Sequence, residues 1–209
     1  MYTAQFVISL LLVGGAMLAQ AQASRFVISP VAGVPQVPPT PAKALSVSIG
    51  SPTALAADTA GNVYFTTSFA AGGENYEVLF KLDQSGILTR IAGYTAGFSG
   101  DGGPAAAARI DSTAGVAVDS SGNIYITDSG RVRRIATDGT IATIATTAAC
   151  CALSSSSGKG GPAVNAAFTF SFPEYIAVDA GGNLYVGDPG TIRKISTNGI
   201  VTTIAGNGI

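Results

Sequence analysis

Val118-Asp119-Ser120-Ser121-Gly122-Asn123-Ile124-Tyr125 occurs three times in this chain, twice closely and once loosely. The second copy is Val178-Asp179-Ala180-Gly181-Gly182-Asn183-Leu184-Tyr185, and the looser one is Ala57-Asp58-Thr59-Ala60-Gly61-Asn62-Val63-Tyr64. The three aspartates are 61 and 60 residues apart. A fixed period of this size means an array of similar supersecondary units.

Each copy reads as short strands joined by turns. In the middle copy, Gly115 to Val118 is a β-branched run, and Asp119 to Gly122 is a turn with an aspartate to cap it and a glycine free to take positive φ. Asn123 to Thr127 is a second strand and Asp128-Ser129-Gly130 turns again. Val132 to Ala136 is a third strand, Asp138-Gly139 a hairpin turn, and Thr140 to Ala145 a fourth strand. The other copies place their last hairpins at Ser85-Gly86 and Asn198-Gly199. Both faces of the first two strands are largely apolar, as when each small sheet lies between two others. Four-stranded sheets at a fixed interval are the pattern of propeller blades.

The connections repeat as well. Gly97-Phe98-Ser99-Gly100-Asp101-Gly102-Gly103-Pro104-Ala105 recurs as Ser157-Gly158-Lys159-Gly160-Gly161-Pro162-Ala163, and in faded form as Pro41-Ala42-Lys43-Ala44. The Asp-x-x-Gly-Asn-x-Tyr turn, the Asp-Ser-Gly before a basic strand and this spacer together resemble NHL-repeat proteins. The closest likeness is to the long-spacer kind found in exported bacterial proteins, over nearly all of residues 26–209. The resemblance implies a β-propeller, usually of six blades in a closed ring. The histidine that names the family is missing: Asp128-Ser129-Gly130 passes straight to Arg131-Val132, and Asp188-Pro189-Gly190 to Thr191-Ile192.

The expected architecture is all-β: a partial propeller of about three four-stranded antiparallel blades, at about 52–93, 113–146 and 173–206. The run Phe26 to Gly33 is expected as the closing strand of a further blade. Three blades are fewer than the four to eight of a closed ring. Truncation of a six-bladed ring into an open arc is the simpler expectation, and a homodimer of two sets of three blades is the other.

Composition narrows the function. Charged residues make up 11% of the 209, and the net charge is −1. No basic stripe exists, so no nucleic-acid partner is expected. There is no histidine, which removes Ser-His-Asp and Cys-His catalysis and His-ligated zinc. Phe6 to Leu18 is apolar and uncharged, and Ala19-Gln20-Ala21-Gln22-Ala23 follows with small residues at the cleavage positions. Residues 1–23 therefore read as a signal peptide, giving a secreted or periplasmic protein without a membrane partner after cleavage. The alternative, a membrane anchor, would need an apolar run of about 20 residues. The two cysteines, Cys150 and Cys151, are adjacent and cannot staple distant segments.

Asp58, Asp119 and Asp179 are expected to cap their turns. Asp128 and Asp188 end second strands beside the rim loops, where propellers bind ligands, and can either contact a ligand or pair with Arg131, Arg133 or Arg193. The first copy has Thr67 there, and two carboxylates fall short of the six to eight oxygens calcium takes. Tyr64, Tyr125 and Tyr185 sit at identical strand positions, as inter-blade packing requires. Phe98, Phe168, Phe170 and Phe172 lie in spacers, as contact residues or as plugs between blades. Length varies in the loops: Ala92 to Asp119 spans 27 residues but Ala145 to Asp179 spans 34. Asp58 to Gly86 spans 28 where Asp119 to Gly139 spans 20, the extra residues carrying Gly72 to Tyr76. Variable loops on a constant scaffold are where specificity resides. The ligand-face candidates are Asp128, Asp188, Arg131, Tyr76 and Phe98. No catalytic residue, metal or cofactor is assigned. The expected function is an exported, non-enzymatic binding scaffold for a protein or carbohydrate. The alternative is a propeller enzyme of the lyase or lactone-hydrolase type whose catalytic residues lie in missing blades.

Overall fold

The computed structural model describes residues 37–71, 74–146, 162–163, 175–188 and 190–207. The expected leader, the strand at 26–33, Cys150, Cys151, Phe168, Phe170 and Phe172 lie outside these residues.

Every described repeat folds as an antiparallel sheet. The first contains β1 (Ala42–Lys43), β2 (Ser51–Ala57), β3 (Val63–Ala71), β4 (Glu74–Leu82) and β5 (Ile87–Gly93) in the order β1-β5-β4-β3-β2. The second runs β6 (Val116–Val118), β7 (Ile124–Asp128), β8 (Arg131–Ile135) and β9 (Ile141–Thr146) in sequence order. The third repeats it with β10 (Tyr175–Val178), β11 (Leu184–Asp188), β12 (Thr191–Ile195) and β13 (Val201–Gly206). The fifth strand of the first sheet is the faded spacer, which pairs with β5 through Ala42↔Leu88 and Lys43↔Ile87. The array is open: sheet one packs on sheet two, and sheet two on sheet three.

Two features recur at equivalent positions. A bulge separates Leu79 from Phe80, Val132 from Arg133 and Ile192 from Arg193. The extra residue on the outer strand is an isoleucine each time, Ile91, Ile144 and Ile204. Bulges re-aim side chains, and here Ile91 and Ile144 turn toward the next blade's core. The second feature is a fastening. The amides of Ala44, Ala105 and Ala163 donate to the carbonyls of Gly86, Gly139 and Gly199 at 2.9, 2.8 and 2.7 Å. Each spacer is thus tied to the last hairpin of the blade that follows it.

The core lies between the sheets. Tyr64, Leu79 and Ala92 of the first blade meet Val116, Ile124, Ile126, Ile135 and Ile141 of the second, with spacer residues Ala105, Ala108 and Ile110 between them. Ala117, Tyr125, Val132 and Ala145 meet Leu184, Val186, Ile195 and Val201 in the same way, with Ala163. On its other face the first blade buries Phe65, Phe69, Val78, Phe80 and Leu88 under Val37, Ala44, Val47 and Ile49. Burying each of the valine, leucine, isoleucine and phenylalanine side chains contributes roughly 1.5–3 kcal/mol, so the adhesion between sheets holds the array together.

Candidate functional site

The repeated turn is a closed hydrogen-bond unit. In the second blade, Asp119 Oδ1 accepts from the amides of Ser121 and Asn123, both at 2.9 Å. Its Oδ2 accepts from Asn123 Nδ2 at 2.8 Å and from the Tyr125 hydroxyl at 2.9 Å. Asp58 and Asp179 do the same with Asn62 and Tyr64, and with Asn183 and Tyr185. These bonds hold the Asp179 carboxyl down to about 2, the Asn183 side chain contributing most. Burial first, and then the aspartate, pushes the Tyr64 and Tyr125 phenols up to about 12. Tyr64 and Tyr125 therefore serve twice: their rings pack between blades, and their hydroxyls close the turn.

Arg133 organises the region where β7 turns into β8. It is fully buried, and all five of its N–H donors find acceptors. Nε and Nη2 bind Asp101 Oδ1 at 3.0 and 2.6 Å. Nη2 also reaches the Ser99 carbonyl at 3.0 Å. Nη1 reaches the Arg109 carbonyl at 2.7 Å and Asp128 Oδ2 at 2.9 Å. A guanidinium can be buried only when its donors and charge are both met, and here the glycine-rich spacer meets most of them. Asp101 completes the loop by accepting from the Thr143 amide at 3.1 Å. Burial pushes Asp101 up, but the bonds from Thr143 and Arg133 outweigh it and leave its carboxyl below the usual range. The phenyl ring of Phe98 lies under both Arg131 and Arg133, 4.0 and 4.7 Å from their guanidinium carbons.

The first blade fastens its spacer differently. Phe80 stands where the others have Arg133 and Arg193, and Thr67 where they have Asp128 and Asp188. The spacer packs apolar residues Val37, Val47 and Ile49 against that blade's core. Ion pair and phenyl are alternative anchors at one position.

A second group sits where blades one and two meet at the rim. Thr113 Oγ1 donates to Glu77 Oε2 at 2.9 Å, tying the blades together. The Asp111 amide donates to Asp128 Oδ1 at 2.9 Å, and the Ser129 hydroxyl to Asp111 Oδ2 at 3.3 Å. Burial above all pushes Glu77 up, with the charges of Asp111 and Asp128 adding to it and the Thr113 and Ser68 hydroxyls opposing. Among the described residues no group of three or more His, Cys, Asp and Glu is placed to hold a metal ion.

Of the candidates from sequence, Asp128, Arg131 and Phe98 come together around Arg133. Asp128 is fully buried and both its oxygens are taken by protein donors. Arg131 is half-buried, with Nη1 3.3 Å from the Ser129 carbonyl. Phe98 is 41% exposed, a lid over two cations rather than a plug between blades. Tyr76 belongs elsewhere, paired with Phe69 across β3 and β4 and packed on the first blade's core. Asp188 ends β11 opposite Thr191; its side chain lies outside the described residues. Sequence reasoning did not single out Glu77 or the pairing of Asp101 with Arg133. The signal for the second was present: Asp128 and Arg133 are replaced together, by Thr67 and Phe80, in the copy whose spacer lacks the Asp101 motif.

Residues 73–154 and 144–208 match the family model of the Teneurin NHL domain. The chain belongs to this family of NHL-repeat domains. No curated protein matches the chain. Among solved structures, this NHL chain is similar to a gluconolactonase from Xanthomonas campestris, at 15% identity and a TM-score of 0.48, over 75% of this chain and 47% of that one. It is also similar to a protein of unknown function from Bacteroides thetaiotaomicron VPI-5482, at 21% identity and a TM-score of 0.49, over 76% and 36%. The NHL chain thus spans about half the length of the first and about a third of the second.

Proposed function

We propose that this is an exported binding scaffold whose rim loops contact a protein or a carbohydrate, and that it acts without catalysis. One observation carries the reading. The β3–β4 hairpin has nine residues in each strand, where β7–β8 and β11–β12 have five. The first blade therefore extends four residue pairs beyond its neighbours on the side where β7 turns into β8 and β11 into β12. Glu74 and Asn75 are exposed near its tip, and Tyr76 is half-buried at its base. A two-stranded ribbon is marginal on its own, and this one is held by Phe69 and Tyr76 on the core beneath it. It offers edge hydrogen-bonding groups and polar side chains in a fixed position, which suits recognition.

The test shortens this hairpin to the length of its neighbours and compares it with the parent chain on arrays of glycans and of cell-envelope proteins. Binding lost on shortening, with the melting transition kept, supports the scaffold. Binding indifferent to the hairpin, or hydrolysis of simple lactones by the parent chain, overturns it. Export is tested by the N-terminus of material recovered outside the cytoplasm, expected at Ser24 or within a few residues of it.

A further inference from the structure

A cavity of about 390 Å³ opens at the seam between the first two blades, at the far end of β8 from the rim. Its size lies within the range of small-ligand sites, about 300–1,000 Å³. Outer strand β5 supplies Arg90 and the bulged Ile91, the spacer supplies Gly102 to Ala106, and the second blade supplies Ile135 and the hairpin from Asp138 to Thr140. Ile135 and Ala105 are buried beneath it. The spacer wall is fixed: the Gly102 amide donates to the Ile141 carbonyl at 2.8 Å, Gly103 to Gly100 at 3.1 Å and Ala105 to Gly139 at 2.8 Å. The cavity therefore needs no loop to order before it is filled.

Two opposite charges belong to its lining. Arg90 Nη1 donates to the carbonyls of Gly93 and Ala106, at 2.6 and 3.1 Å, which holds the guanidinium in place. Its other edge, Nε with Nη2, meets no acceptor among the described residues. That edge is a fork that takes a carboxylate through two parallel bonds. Asp138 is exposed, and its Oδ1 accepts from the Thr140 amide at 2.8 Å. The bonds from Thr140 hold its carboxyl below the usual range, so it is charged at neutral pH. Arg90 and Asp138 are not within ion-pair distance of each other.

The next seam provides a comparison. Thr143 pairs with Arg133 as Arg90 pairs with Phe80, and Asn198 stands in the hairpin where Asp138 stands. Both charges are thus replaced by neutral residues together, while the apolar Ile144 and Ile195 keep the places of Ile91 and Ile135. Seam packing requires the isoleucines and does not require the charges.

We propose that this cavity binds a small amino carboxylate, with its carboxylate on Arg90, its ammonium on Asp138 and its carbon chain on Ile91, Pro104 and Ile135. The inference concerns a site away from the rim and does not depend on the scaffold reading. A plain carboxylate would meet Asp138 and a plain amine would meet Arg90, so each single charge is selected against.

Amide NMR titration of the full chain tests this with β-alanine, γ-aminobutyrate and ε-aminohexanoate, and with hexanoate and hexylamine as single-charge probes. At least one amino carboxylate should give saturable shifts confined to Gly102–Ala106 and Asp138–Thr140. Hexanoate and hexylamine should bind at least about tenfold more weakly, the value of one bond to a charged group. Arg90→Lys keeps the charge but loses the fork, and should weaken binding at least about tenfold. Asp138→Asn installs the third blade's own residue and should bring the amino carboxylate down to the level of hexanoate. Thermal melts establish that both variants are folded; if Arg90→Lys is not, Asp138→Asn decides alone. The proposal is overturned if no probe gives saturable shifts, if the shifts fall at the rim, if hexanoate binds as tightly as the amino carboxylates, or if Asp138→Asn leaves that preference unchanged.

Discussion

Arg133 holds Asp101 at 2.6 Å across 32 residues of chain. That bond explains why a spacer rich in glycine keeps a defined path. The side chain is supplied by the blade, the carbonyls by the loop, and neither is satisfied without the other. Replacing Arg133 by phenylalanine leaves Asp128 buried without its counter-charge, and should cost about 3–5 kcal/mol. The double change Asp128→Thr with Arg133→Phe installs the first blade's residue pair and removes the buried charge of Asp128, though the Asp101 loop stays. It should recover at least about 1 kcal/mol of that loss in a double-mutant cycle read by chemical denaturation. Strict additivity of the two changes would refute the coupling.

Phe98 covers two guanidinium groups with the face of its ring. Phe98→Ala should destabilise the chain by about 0.5–2 kcal/mol. Phe98→Leu keeps apolar cover but has no ring quadrupole. A leucine variant as stable as the parent would reduce Phe98 to apolar cover.

In the repeated turn, Asp119→Ala removes the acceptor for four donors and should cost about 1.5–3 kcal/mol, the range for bonds to a charged group. Tyr125→Phe removes one donor while keeping the ring, and should cost about 0.5–1.5 kcal/mol. Equal losses from the two would mean that the turn's energy lies in the one bond from the Tyr125 hydroxyl rather than in the four together. Thermal melts of the two variants beside the parent decide between these outcomes.

Glu77 gives the pH dependence. Burial raises its carboxyl pKa above the unfolded value, so the fold favours the protonated form. The stability this contributes is present at low pH and is lost as pH rises from the unfolded pKa, about 4.3, through the folded one. Glu77→Gln mimics the protonated state and keeps an oxygen for Thr113. It should be more stable than the parent at pH 7, with the difference closing below about pH 4. A difference that does not change with pH would show that Glu77 is not the group responsible.

Gly100 takes φ of +96°, and a Cβ there would lie 2.7 Å from the Cα of Ala108. Gly100→Ala should cost more than about 1 kcal/mol, whereas Gly102→Ala, at φ of +81° but with nothing within 4 Å of the new Cβ, should cost less. Parallel denaturation of the two variants checks the order, and equal costs would assign the penalty to φ alone.

The period of 61 and 60 residues made the array and its antiparallel blades legible, because strand alternation and turn chemistry are local and repeat in register. The Asp-x-x-Gly-Asn turn was legible for the same reason. The Asp101–Arg133 pairing was harder to see, since its partners are 32 residues apart and nothing in either segment alone names the other. Asp128 was legible as either a ligand contact or a partner of Arg131, Arg133 or Arg193, and the structure gives the pairing with Arg133. Its burial follows from the bulge at Val132–Arg133, which brings a cation to meet it. Glu77 escaped notice because it lies in the one hairpin that departs from the repeat, where comparison between copies gives no guide.

The amide of each spacer alanine is tied to the hairpin glycine of the following blade, and this sets where the molecule can be divided. Between Gly93 and Gly97 the chain leaves one sheet before it is latched to the next, with Tyr94 at φ of 140° and glycines at 81° and 100° on either side. A duplication or deletion that breaks here transmits a latch together with its keeper. A break after Ala105 would separate them. The heritable module is accordingly a spacer with the blade behind it, and a blade copied with the wrong spacer would put Phe80 against an acidic loop, or Arg133 against an apolar one.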